Sequence, residues 1–294
     1  MGIVSQIPHW SKVDIMKPKL KAIGAPFNTN HSSCFALKPK NFEWTTEGDY
    51  PVVVMDRAIT RPDMINGVPD KYAWLCESRA MLPEHDRILQ DQRILSSYKA
   101  IYISDKTKLS MSPNLRFCFA GSNYPWLPIL NNAPQKTKMC SMIASPKTAC
   151  AGHHYRHQVA RKYMGSLDLY GGACGSTRIG FENKTVDGHP DKSSAIVPYR
   201  FSIVMENDIY PDYFTEKITD CFASWTVPVY WGCPTIDEYF NPEGIIKFDD
   251  GFDINCLTEE LYQSMLPAIE ENNQIVRNLV MSDDMLFDKI RNSK

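Results

Sequence analysis

Tyr199-Arg200-Phe201-Ser202-Ile203-Val204-Met205-Glu206-Asn207, followed by Tyr213-Phe214-Thr215-Glu216-Lys217-Ile218, is the stretch of the 294-residue chain that decides the fold. Its first half reads as a buried strand over Phe201–Met205, closed by the polar pair Glu206-Asn207. Its second half opens a helix from Glu216 to about Trp225. Ile218, Cys221, Phe222 and Trp225 fall at i, i+3, i+4 and i+7, one apolar stripe that faces a sheet. Thr215 stands where an N-cap belongs. A helix N-terminus carries partial positive charge and unpaired N–H groups, and Lys217 adds a full charge, so an anion site is expected there. Glu206 and Asn207 lie just past a strand's carboxyl end, where open α/β sheets bind ligands; a carboxylate and an amide there suit ribose or sugar hydroxyls, as does Glu216. Taken alone, Glu216 and Lys217 fit a solvated first helical turn equally well.

Outward from this unit the same rhythm recurs. Pro51–Met55, Tyr72–Cys76 and Tyr98–Ile103 read as strands, with a helical stretch around Asp86–Leu95. The proline-rich run from Tyr124 to Pro134 reads as a linker. Beyond it come a strand at Met139–Ala144, a helix at Arg156–Met164, strands at Leu167–Tyr170 and Val227–Trp231, and Gly171-Gly172 as a turn. The expected fold class is α/β, with two Rossmann-like domains, 1–134 and 135–294, facing a central cleft.

A formal net charge of −2 excludes a protein built to coat nucleic acid. Nine cysteines without a Cys-x-x-Cys pair fit buried reduced thiols better than a disulfide scaffold. No run of about 18 apolar residues and no secretory leader is present, so the expectation is a cytoplasmic chain without an integral membrane segment.

Tyr-x-Phe-Ser-x-x-x-Glu-Asn at 199–207, Tyr-Phe-Thr-Glu-Lys at 213–217, Thr226-Val227-Pro228-Val229-Tyr230-Trp231-Gly232, and Phe240-Asn241-Pro242 before Ile245-Ile246 together resemble the fucosyltransferases of glycosyltransferase family 10, of the bacterial or viral type. The resemblance is strong over Met139–Phe248 and faint before it. Asp208 departs from it, standing at a donor-pocket position where the family commonly has Ser. The resemblance implies a GT-B fold and an inverting transfer of fucose from GDP-fucose to a hydroxyl of a glycan acceptor. GDP-mannose or a UDP-sugar is the alternative donor, and a non-catalytic sugar-nucleotide or carbohydrate-binding protein the alternative function.

Metal-dependent transferases of the other common fold hold Mn²⁺ or Mg²⁺ with Asp-x-Asp, a motif this sequence lacks. No metal and no cofactor are therefore expected, and cations with helix dipoles must neutralise the leaving diphosphate. The resemblance puts Lys217 and Arg156 in that role, with Glu206, Asn207 and Glu216 on the nucleoside and sugar, and Tyr213 and Thr215 completing the donor-binding set. Lys147 and His153 are helpers by position only. His153, His154 and His157 are otherwise a surface trio, and Arg161, Lys162 and Arg178 solvated charges. The base is expected at Glu77, after the strand Tyr72–Cys76. A Glu77–Arg79 ion pair is the plainer alternative, and Glu84, Asp86 and Asp105 are fallback bases. Asn123, Tyr124 and Trp126 either line the acceptor cleft or pack between domains.

Overall fold

The computed structural model describes residues 17–24, 32–33, 37–65, 67–68, 70–173 and 192–293. The first strands are β1 (Lys19–Ile23), β2 (Glu43–Thr45), β3 (Val52–Met55), β4 (Lys71–Trp74), β5 (Ile101–Ile103) and β6 (Leu115–Phe117), in the order β2-β1-β3-β4-β5-β6. The second sheet holds β7 (Lys138–Ile143), β8 (Asp168–Tyr170), β9 (Tyr199–Met205), β10 (Val227–Trp231) and β11 (Ile246–Lys247), ordered β11-β10-β9-β7-β8. Every pairing in both sheets is parallel, for example Phe201 opposite Val227 and Cys140. Val52–Met55 and Phe201–Met205 are buried throughout, as strands covered on both faces require. Two parallel α/β units therefore face each other, as expected.

The helices are α1 (His85–Gln90), α2 (Gln92–Ser96), α3 (Ala151–Lys162), α4 (Ser193–Ile196), α5 (Glu216–Ala223), α6 (Glu259–Asn278) and α7 (Ser282–Arg291). The helix expected over Asp86–Leu95 is broken at Asp91, whose carboxylate accepts from the Arg93 and Ile94 N–H groups and so caps α2. The helix expected from Arg156 starts at Ala151 instead. Its first turns bury His153, Arg156 and His157 rather than apolar residues, so a search for an apolar stripe detects only the later turns.

The chain leaves the first sheet after β6 and follows α5: the Trp126 and Leu127 N–H groups donate to Asp220, and Leu130 N–H to the Ala223 carbonyl. It then returns. Within the expected 135–294 unit, α7 lies on the first sheet, with Leu286, Phe287 and Ile290 in a core shared with Leu20, Trp44, Tyr72 and Tyr102. Asp283 fastens it there, accepting from the Ser33 N–H at 3.0 Å and Trp44 Nε1–H at 2.8 Å. The N-terminal residues before Lys17 and Arg178 lie outside the described residues.

In the second sheet β7 and β9 are neighbours whose outgoing connections, to β8 and to β10, run to opposite sides, so a crevice opens between their carboxyl ends. Gly152, in the first turn of α3, closes one side of it: a Cβ there would lie 2.2 Å from the Asn207 carbonyl oxygen, so only glycine lets α3 approach the loop after β9.

Candidate functional site

A cavity of about 630 Å³ lies between the two units. One wall belongs to the second unit and includes Lys147, His153, Arg156, Lys192, Asn207, Tyr213, Thr215, Glu216 and Lys217; Glu77, Met81, Ser122 and Trp126 belong to the other wall. The structure thus brings every expected site residue to one cleft except Glu206, which lies directly behind it.

Thr215 is the N-cap of α5, its hydroxyl accepting from the Lys217 N–H. Glu206, fully buried at the end of β9, organises this cap. It accepts from Thr215 N–H at 2.9 Å and Thr215 Oγ1–H at 2.8 Å, and pairs with Lys217 Nζ at 3.2 Å. Its carboxylate is therefore committed to shaping the helix start, not open to sugar hydroxyls. Asn207 is half-buried on the cavity wall: its side-chain carbonyl accepts from Tyr213 O–H at 2.7 Å, while Tyr213 stacks on Tyr210 at 4.6 Å.

Beneath this cap sits an unpredicted element. Lys192 Nζ pairs with Glu216 at 3.0 Å and Asp220 at 2.9 Å, and lies over the Trp126 ring at 4.0 Å. Burial alone would raise the Glu216 carboxyl, but the ammonium groups of Lys192 and Lys217 outweigh it and hold it at about 2. Asp220 goes the other way: its burial exceeds the pull of Lys192 and its pKa is raised. The one sequence signal was Glu216 and Asp220 themselves, two acids at i and i+4 on a helix whose neighbours are apolar. Such a pair, when buried, demands a cation, but nothing local identifies Lys192 as its source.

Arg156 projects from α3 toward the crevice and donates from Nη2 to the Met205 carbonyl at 2.7 Å. Its Nε is buried with no partner among the described residues. Burial lowers its pKa, opposed by Glu206 and Glu216. His153 accepts the Ala149 N–H on Nδ1 at 3.2 Å, and burial followed by the charges of Arg156, Lys147 and Lys217 holds it down at about 4, so the ring is neutral near pH 7. His157 gives its Nε2 to the Ser145 carbonyl at 2.8 Å, and His154 points to solvent. The three histidines therefore do not form one surface trio.

On the opposite wall, Glu77 follows β4. Its Oε1 accepts from Ser78 N–H at 2.8 Å. Arg79 is not its partner; that guanidinium lies 3.8 Å from Asp105 and 3.9 Å from Asp208 and stacks on Tyr210. Asp56, at the end of β3 with φ +49°, accepts from the Cys76 and Glu77 N–H groups at 2.9 and 3.1 Å, and from the Cys76 thiol. Burial pushes the Asp56 carboxyl up to about 7 against those hydrogen bonds. The fallback bases are otherwise engaged. Glu84 pairs with Arg57 at 3.1 Å, Asp86 is exposed on α1, and Asp105 accepts the Thr107 N–H at 3.0 Å. Trp126 lines the cavity, its indole N–H donating to Ser122 Oγ at 2.9 Å. Asn123 is instead buried packing, accepting the Ser282 N–H at 2.9 Å. Asp208, expected in the donor pocket, is not among the cavity walls.

Comparison with known proteins finds similarity to sugar-transferring enzymes. Residues 133–271 match "Glycosyltransferase family 10 (fucosyltransferase) C-term". The alpha-(1,3)-fucosyltransferase FucT of Helicobacter pylori is 28% identical over 113 residues, 34% of this chain and 24% of that protein. A putative fucosyltransferase-like protein of Arabidopsis thaliana is 28% identical over 208 residues, 68% of this chain and 36% of that protein. The matches thus span about a quarter to a third of the curated relatives' length. A crystal structure of an alpha1,3-fucosyltransferase superposes with a TM-score of 0.51 at 14% identity, covering 98% of this chain and 92% of that one. Anabaena HepE in complex with UDP-glucose gives 0.54 at 9% identity, covering 82% and 79%. The two parallel-sheet α/β units are those of the GT-B fold.

Proposed function

We propose, from the premise that residues 133–271 are a glycosyltransferase family 10 (fucosyltransferase) C-terminal domain, that the chain transfers fucose from GDP-fucose to a hydroxyl of a glycan acceptor, with inversion and without a metal. The observation that carries this reading is one cavity in which Lys217 and Arg156 face Glu77 from opposite walls. Glu77 takes the proton of the acceptor hydroxyl as its oxygen bonds to the anomeric carbon. The bond from that carbon to the diphosphate breaks on the far side, and its electrons leave with the GDP. Lys217, Arg156, Lys147 and the cap of α5 supply the positive charge that the departing diphosphate needs. Neutral His153 adds a ring N–H near those cations. Asn207, Tyr213 and Glu216 hold the nucleoside and sugar hydroxyls, while Thr215 and Glu206 keep the helix start in shape. Seven free cysteines among the described residues, six of them buried, support a cytoplasmic setting for this chemistry.

A nucleotide panel read by thermal shift, followed by transfer assays, tests the reading. GDP and GDP-fucose are expected to raise the melting temperature, and transfer to continue in EDTA. Stabilisation by UDP but not GDP rejects the fucosyl donor, and abolition by EDTA rejects the metal-free mechanism.

A further inference from the structure

We propose that Asp208 is a positioning residue for Glu77, reaching across the cleft from the donor-side loop to hold the far end of the turn that carries the base. The inference rests on the role given to Glu77 above. The turn runs from Cys76 to Ala80 and is held at two places by two different units of the molecule. Asp56, within the same unit, takes the N–H groups of Cys76 and Glu77. At the other end, Asp208 Oδ2 accepts the Ala80 N–H at 2.9 Å. Its Oδ1 accepts its own loop's Ile209 N–H at 2.8 Å, so the carboxylate is aimed before it meets its partner.

Arg79 fills the space between the two units. It donates from Nη2 to the Ile209 carbonyl at 3.3 Å, lies 3.9 Å from Asp208 and 3.8 Å from Asp105, and covers the Tyr210 ring at 4.0 Å. Tyr210 stacks on Tyr213, whose hydroxyl donates to Asn207. Asn207 and Asp208 are adjacent, so the loop that presents Asn207 to the cavity also carries the group that grips the Glu77 turn. A donor-side displacement is thereby passed to the turn through the Asp208 carboxylate, with the Arg79 side chain braced beside it. The two ends of the tie belong to opposite units, so it forms only when the units are together. A hydrogen bond to a charged acceptor three residues from Glu77 is strong enough to set the turn, and misplacing a reacting group by about 1 Å costs on the order of 100-fold in rate.

The test uses the full chain with Asp208→Ser, which is too short to span the gap, and Asp208→Asn, whose amide oxygen still accepts. Asp208→Ser is expected to lower kcat by about 10- to 100-fold while the Kd for GDP stays within about twofold, because no nucleotide contact is lost. Amide exchange should quicken in peptides covering 77–82 and stay unchanged over 213–225. Asp208→Asn should return kcat to within about threefold of the native chain, since a neutral acceptor keeps most of the bond. Native kcat in Asp208→Ser overturns the inference. So does a Kd for GDP that worsens in step with kcat, which would make Asp208 a donor contact, and so does an Asp208→Asn variant as damaged as Asp208→Ser. If the native chain transfers no sugar from any nucleotide donor, the proposed function falls. The exchange measurement still decides the clasp: unchanged exchange over 77–82 in Asp208→Ser rejects it, and faster exchange sustains it.

Discussion

The donor wall and the wall facing it are ordered by different means. Around α5, order comes from side-chain charge: Glu206, Glu216 and Asp220 are buried, and Lys217 and Lys192 neutralise them. Around Glu77, order comes from main-chain N–H groups gathered by two aspartates, Asp56 and Asp208, with Glu77 closing its own small ring on Ser78. The difference teaches where substitutions should register. A charge removed from the donor wall strands a buried partner, so binding and stability fall together. A change at the Glu77 turn leaves the nucleotide side intact and falls on turnover.

The sharpest way to break that contrast is Glu77→Gln. It should lower kcat by about 10²- to 10⁴-fold with the GDP affinity unchanged by calorimetry. A matching loss of affinity would mean that the walls are not separable. Next in size is Lys192→Met, which leaves Glu216 and Asp220 buried without their cation. It should destabilise the chain by about 3 kcal/mol in denaturant titration, and adding Asp220→Asn should recover part of that loss. Native stability in Lys192→Met would show that the donor wall does not depend on its buried charges.

The smallest effect sharpens the other wall and concerns pH. Asp56 has its pKa raised from 3.8 to about 7 in the folded chain. The folded state therefore binds this proton more tightly than the unfolded state does, and the Asp56 contribution to stability is lost as pH rises from about 4 to about 7. The melting temperature should drift downward across that window, and Asp56→Asn, which cannot ionise, should flatten the drift. An identical pH profile in the variant would show that Asp56 does not titrate there. Glu216 has the opposite sign: held at about 2 by Lys192 and Lys217, it contributes stability above pH 4.5 that is lost on acidification toward 2.

Much of the donor wall was legible because its signals are local. The strand over Phe201–Met205, the cap at Thr215 and the stripe at Ile218, Cys221 and Phe222 are all settled within a few residues by period and capping chemistry. Glu77 was legible as a carboxylate shortly past a strand end, although β4 itself stops at Trp74. The role of Glu206 was misjudged because a carboxylate past a strand end fits a ligand and a helix cap equally well, and only the 2.9 Å contact with Thr215 N–H separates them. Asp208 was expected in the pocket from the resemblance, but a matching position next to Asn207 says nothing about which way its side chain turns.

By itself, then, the sequence determined two parallel α/β units, the Thr215-capped start of α5, and the residues Lys217, Arg156 and Glu77 that face the cleft. Hydrophobic period and capping chemistry act over one or two turns, and those are properties any single stretch carries. Only the tertiary structure decided that α7 returns to the first sheet, that Lys192 neutralises α5 from 24 and 28 residues away, and that Asp208 grips a turn 128 residues distant. These are pairings of buried charge and main-chain N–H across the fold. Each partner is chosen by what else is desolvated beside it, and no local pattern records that.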